Sequence, residues 1–240
     1  AGWQLWQRTR GPREFSGFEV EPNSQAVEAM PVPFGREVRG HVGPRIDPGT
    51  SDRDFYRIVI PPEVTRIRLE TDALPNFGLC TLLFREGDGS PLARYCPGDA
   101  GRNLSIPALE LPPGPYLVAV MQDRERYSAA PAPPVHENVS DVYRLRLSAS
   151  EPGAEVEVEP NDRIRDATRV RLGATVSGAF GWMRDQDVIC VAGASQRFRF
   201  VVTDAERAPR PPQAVLQVTP HVGPTDGIPV RVHRSGADVQ

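Results

Sequence analysis

The chain has 240 residues, 39% of them hydrophobic and 7% aromatic, with 28 basic against 31 acidic side chains and a net charge of −3. That supplies apolar material for one large domain or two ordinary ones. It includes no stretch near the roughly 18 apolar residues of a spanning helix, and no basic face to track a nucleic-acid backbone. All the basic residues are arginine, a codon signature of a GC-rich genome, and 26 Pro and 21 Gly punctuate short apolar runs. Such dense punctuation excludes long helices and favours short strands joined by turns.

Residues 1–16 stand apart. Trp3, Leu5 and Trp6 are followed by Arg8, Arg10 and Arg13. This aromatic-then-basic order suits either the tail of a membrane anchor, with tryptophans at the interface, or an ordinary amphipathic extension. From Glu19 the chain reads Glu-Val-Glu-Pro-Asn-Ser24, and from Glu157 it reads Glu-Val-Glu-Pro-Asn-Asp162. Ala29, Val32, Gly35, Val38 and Gly40 recur as Ala167, Val170, Gly173, Val176 and Gly178, at a constant offset. Asp52 and Asp54 then align with Asp185 and Asp187, after a short insertion in the first copy. Register held over such a distance indicates a duplication: a first module over 17–150 and a second, partial one over 151–240.

Each Asp pair runs into a strand-like stretch, 55–60 and 188–192. In the first copy 66–69, 80–84, 116–120 and 143–147 follow. The last alternates strictly, with Tyr143, Leu145 and Leu147 on one face and Arg144 and Arg146 on the other. This is the period-two pattern of a half-buried antiparallel strand. Residues 122–141, with Pro131, Pro133 and Pro134, read as a long loop. The second copy offers strands at 197–202, 214–218 and 230–232, then ends short of counterparts to the last two strands of the first. The expected fold is all-β: tandem jelly-roll-like antiparallel sandwiches, the second incomplete or short.

Cys80 and Cys96 lie symmetrically about Asp88, in a Glu-Gly-Asp-Gly-Ser turn. Across a hairpin so centred they face each other, close enough for a disulfide, which points to an oxidising compartment. Cys190, in an apolar strand, reads as a small core residue. Trp182, in the loop before Asp185, is either an exposed binding contact or packing for the shorter copy, and Tyr95 is open to the same two readings. The four histidines have no metalloprotease spacing, and neither a nucleophile elbow nor a phosphate-cradling loop is present.

The segments Glu19–Ser24, Gly35–Gly40, Asp52–Tyr56, Gly114–Val120 and Tyr143–Leu147, in this order, resemble the bacterial pre-peptidase C-terminal domain. The resemblance covers about 17–148, and in part 155–240. It implies a secreted or surface-exposed jelly-roll-like accessory module without a catalytic centre.

In an extended segment, Glu19 and Glu21 project to one side, as do Asp52 and Asp54, and calcium takes six to eight hard oxygen ligands in irregular geometry. By analogy with the related collagen-binding domains of bacterial collagenases, Glu157, Glu159, Asn161, Asp162, Asp185 and Asp187 form a candidate calcium site. Glu19, Glu21, Asn23, Asp52 and Asp54 form a weaker one, because Ser24 replaces a carboxylate. Both sets also suit a purely structural role, capping strands and turns. The reading that results is a non-catalytic extracytoplasmic module, calcium-stabilised, with a protein or polysaccharide partner and a membrane link only through an anchor outside this sequence. Its rivals are a matrix-binding protein for polysaccharide or collagen, and a secreted hydrolase.

Overall fold

The computed structural model describes residues 15–76, 78–96, 100–124, 134–151, 156–171, 173–178, 181, 185–192, 213–218 and 227–235. The expected strand at 197–202 lies outside them, as do Trp3, Trp6 and Trp182.

The fold is an all-β sandwich. One sheet of the N-terminal part has five strands: β1 (Met30–Pro31), β3 (Arg53–Ile60), β8 (Gly114–Gln122), β5 (Leu79–Arg85) and β6 (Ala93–Tyr95), in that spatial order. The facing sheet has four: β2 (Glu37–Val42), β9 (Asn138–Ala149), β4 (Ile67–Thr71) and β7 (Leu104–Leu109). Between them Tyr143, Leu145 and Leu147 of β9 pack against Tyr56, Ile58 and Ile60 of β3, with Val118 and Val120 of β8. The alternation visible at 143–147 is thus a burial pattern. A second apolar cluster, Cys80, Leu82, Cys96 and Ala119 with Phe55, Phe84 and Met121, covers the outer face of the five-stranded sheet.

Three features depart from the sequence reading. The loop over 122–141 is shorter, because β9 already begins at Asn138, where the side chain accepts the Ser140 and Asp141 amides. β7 carries Pro107, which an edge strand tolerates because one side of its backbone needs no ladder partner. The pairing is also not wholly antiparallel. β1 lies parallel to β3 because the chain crosses to the other sheet as β2 and returns.

C-terminal to residue 156 the described strands form one four-stranded sheet, ordered β10 (Thr168–Arg171), β11 (Gln186–Ala192), β13 (Gly227–Ser235) and β12 (Gln213–Val218). β10 is parallel to β11, with Thr168 opposite Ile189. These are the positions equivalent to Met30 and Tyr56, which face each other across β1 and β3. The segment leading into this sheet docks on the free edge of β7. There the Glu159 amide donates to the Ala108 carbonyl and the Glu110 amide to the Glu159 carbonyl, both at 2.9 Å. Among the described residues no helix is long and apolar enough to cross a membrane.

Candidate metal centre

The two Glu-Pro-Asn segments are built alike. Each has a cis Glu–Pro peptide, at Glu21–Pro22 and Glu159–Pro160. Each Asn amide folds back on the preceding Glu carboxylate, Asn23 on Glu21 at 2.8 Å and Asn161 on Glu159 at 3.2 Å. The Asn carbonyl then accepts from the strand after the Asp pair, from Phe55 at 2.8 Å and from Val188 at 3.1 Å. A short 3-10 turn follows in both, Ala26–Glu28 and Ile164–Asp166. Asp52 takes the Gly43 amide, and Asp185 the equivalent Gly181 amide. Gly40 and Gly178 lie where any Cβ would run into a carboxylate, Glu19 in the first case and Glu157 in the second. Glycine is needed there because the acid side chain rests on the backbone itself.

With this scaffold in common, the two clusters differ in the donors that reach their carboxylates. In the first, Glu19, Glu21 and Asp54 bring one oxygen each within 4.8 Å of one another. Donors meet them from all sides. Glu19 takes the His41 amide at 2.7 Å, the His41 ring at 3.2 Å and the Tyr56 hydroxyl at 3.3 Å. Asp54 takes the Tyr143 hydroxyl at 2.5 Å, itself 2.5 Å from the Tyr56 hydroxyl. With its amide oriented to donate, Asn23 reaches Glu21 and Asp54. Asp52 is held by Gly43, by its neighbour Arg53 and by the Ser24 hydroxyl at 3.2 Å. Burial first, then the Glu19 charge, pushes the Asp54 carboxyl up to about 9, so it holds a proton at neutral pH. The Glu19 and Glu21 carboxyls are also raised, chiefly by burial. Hydroxyl and amide donors therefore already engage the oxygens of this cluster, which leaves fewer free lone pairs for a cation. Replacing Tyr143 with Phe is expected to cost about 1–3 kcal/mol in denaturant unfolding, the range for orphaning a buried acceptor. A loss below about 0.5 kcal/mol would refute the hydroxyl's role.

In the second cluster the Tyr56 hydroxyl has no counterpart. Ile189 stands where Tyr56 does. Glu157, Glu159 and Asp187 are all buried, with one oxygen each within 4.8 Å of one another. Asn161 is 0% exposed, yet neither atom of its side-chain amide has a hydrogen-bond partner. One oxygen of Glu159 and one of Asp187 are equally unpartnered. Burial, then the Asp185 and Glu157 charges, lifts Glu159 to about 9. Burial and the same neighbours raise Asp187 as well. Asp185 rises to about 6, mainly through burial, against the Gly181 amide that lowers it. Its carboxylate is engaged by the Gly181 and Gln186 amides and by Asp162, which lies exposed at the mouth. The cluster thus has Glu157, Glu159, Asn161 and Asp187 at its centre, with Asp185 beside them and Asp162 at the exposed margin. Orphaned buried oxygens, in a set without imidazole or thiolate ligands, are what a hard cation of the calcium type requires. These residues fit such an ion.

Of the two readings of Tyr95, exposed contact or packing, the structure shows packing: it is 1% exposed, because β6 turns its ring inward against Gly181. The Cys80–Cys96 disulfide is formed, with Cα atoms 4.3 Å apart, in the register that pairs Thr81 with Tyr95 and Leu82 with Arg94. The nearby grouping of these two cysteines with Asp123 offers no thiolate to a metal. Cys190 is buried and free.

No protein family and no curated protein matches the chain. Seven chains of solved structures do. One is the pre-peptidase C-terminal domain of collagenase from Bacillus anthracis, 14% identical, with a TM-score of 0.38, covering 54% of this chain and 100% of that one.

Proposed function

We propose that this chain is a non-catalytic β-sandwich accessory module that works outside the cytoplasm, and that its C-terminal carboxylate cluster takes calcium as a structural ion. The observation that carries the ion is the unpartnered, fully buried Asn161 amide among Glu157, Glu159 and Asp187. Leaving the Asn161, Glu159 and Asp187 oxygens dry and unpaired costs several kcal/mol, and a calcium ion satisfies those oxygens together. When bound, it supplies positive charge and nothing else. Glu157, Glu159 and Asp187 hold it, Asn161 adds a neutral oxygen, and Asp185 fixes the turn that closes over them.

The disulfide supports a location outside the cytoplasm, where such bonds persist. The non-catalytic reading is supported by the sequence, which offers no nucleophile elbow, no metalloprotease histidine spacing and no phosphate-cradling loop. The partner we favour is a protein or polysaccharide ligand.

The test is a thermal melt in calcium and in chelator, with wild type and Asp187→Asn. Calcium at a hundredfold excess over Kd is expected to add about 2.7 kcal/mol, or roughly 5–10 °C in Tm for a chain of this size. Asp187→Asn should melt higher than wild type in chelator, having lost one of three crowded carboxylates, and should lose the calcium response. A wild-type Tm that ignores millimolar calcium would dismiss the ion.

A further inference from the structure

The second carboxylate cluster is not enclosed by its own segment alone. The Cys96 amide, on the N-terminal sandwich, donates to the Gly181 carbonyl at 2.5 Å. The Tyr95 ring lies so close that a Cβ on Gly181 would fall 2.6 Å from it and 3.2 Å from an Asp185 carboxylate oxygen. The Tyr95 hydroxyl is buried and has no hydrogen-bond partner. Along the other wall, Glu159 is held through its backbone to Ala108 and Glu110 at the edge of β7. β6 and β7 therefore pack on the site from the first sandwich, and the buried, unpartnered Tyr95 hydroxyl feels the charges of its acids.

We propose that Tyr95 belongs to the cation site of the C-terminal segment, so that ion binding and docking of that segment onto the first sandwich form one linked equilibrium. The proposal rests on the calcium reading above. A phenolic hydroxyl suits the position because it is neutral: it can turn a lone pair to the ion and its proton to a carboxylate. The charges that bear on it are those of Glu159, Asp185, Asp162 and Glu157. Without an ion, the hydroxyl and the Asn161 oxygen stay unsatisfied, and among the described residues the junction is held by backbone bonds at its two ends and by the Tyr95 ring on Gly181. With one, groups from both bodies share a counter-charge, and separating them means releasing the ion.

Calcium titration calorimetry and hydrogen exchange on the whole chain test this. Wild type should bind calcium, and Tyr95→Phe should bind it about tenfold or more weakly, as expected for loss of one orienting or ligating group. Exchange at the Cys96, Glu110 and Glu159 amides should slow by up to about 100-fold at a hundredfold excess of calcium over Kd, because opening there requires an empty site. The Leu145 amide, deep in the first sandwich, should change far less. If wild type binds no calcium, the ion and this linkage fall together. If it binds calcium but Tyr95→Phe binds equally and the junction amides do not respond, the calcium site stands and the linkage is overturned. Should Tyr95→Phe fail to fold, the wild-type exchange comparison decides alone.

Discussion

Raising the pH from about 4 towards 9 is expected to destabilise the first sandwich, by as much as about 1.4 kcal/mol per pH unit while one proton separates the native and unfolded states. The source is Asp54. Burial, and next the Glu19 charge, lift its pKa to about 9 from the ordinary 3.8. The native protein then keeps a proton that the unfolded chain gives up. The contribution of this group is whole below pH 3.8, declines across the interval and is gone above about 9. Glu19 and Glu21, also raised, act in the same direction. Denaturant unfolding between about pH 5 and 9 in chelator, for wild type and Asp54→Asn, measures it. The second cluster contributes with the same sign, so the difference between the two slopes isolates Asp54. Asparagine can still accept the Tyr143 hydroxyl and carries no titrating proton, so its slope should be shallower. Equal slopes, or wild-type stability that rises with pH, would mean that Asp54 is ionised in the native state.

Breaking the Cys80–Cys96 bridge is expected to cost about 3 kcal/mol, or roughly 6–12 °C in Tm. The two residues are separated by 16 positions, and closing a loop of that size removes this much freedom from the unfolded chain. The bridge also anchors β6, a three-residue edge strand that pairs only with β5. Beyond β5, β6 is braced by the contact of Cys96 and Tyr95 with Gly181. Denaturant titration with and without reductant, and of the Cys80→Ala/Cys96→Ala double variant, gives the number. Both routes should agree, because the third thiol, Cys190, is buried. A cost under about 1 kcal/mol would mean that β6 is held by its pairing alone.

Much of this architecture is legible locally. A strand with one face to water and one to the core must alternate, and 143–147 does so as part of β9. A hairpin pairs residues whose numbers share one sum, so the symmetry of Cys80 and Cys96 about Asp88 is enough to identify them as partners. The repeated Glu-Pro-Asn and Asp-x-Asp segments carry enough of their own hydrogen bonding to rebuild the same turn twice. β7 is hidden in the sequence because Pro107 interrupts its pattern. The parallel pairs are hidden too, since strand direction depends on where an intervening strand goes.

Short alternating strands, the disulfide and the positions of two carboxylate clusters can all be read along the chain. How each cluster meets its charge is a property of the folded molecule alone. Tyr143 reaches the first from β9, in the opposite sheet, and covers it with a hydroxyl. Tyr95 arrives at the second from β6, sets its ring against Gly181 and leaves its hydroxyl buried and unpaired. Desolvation and hydrogen bonding depend on which side chains converge in space, and residues far apart along the chain leave no spacing from which that convergence can be read.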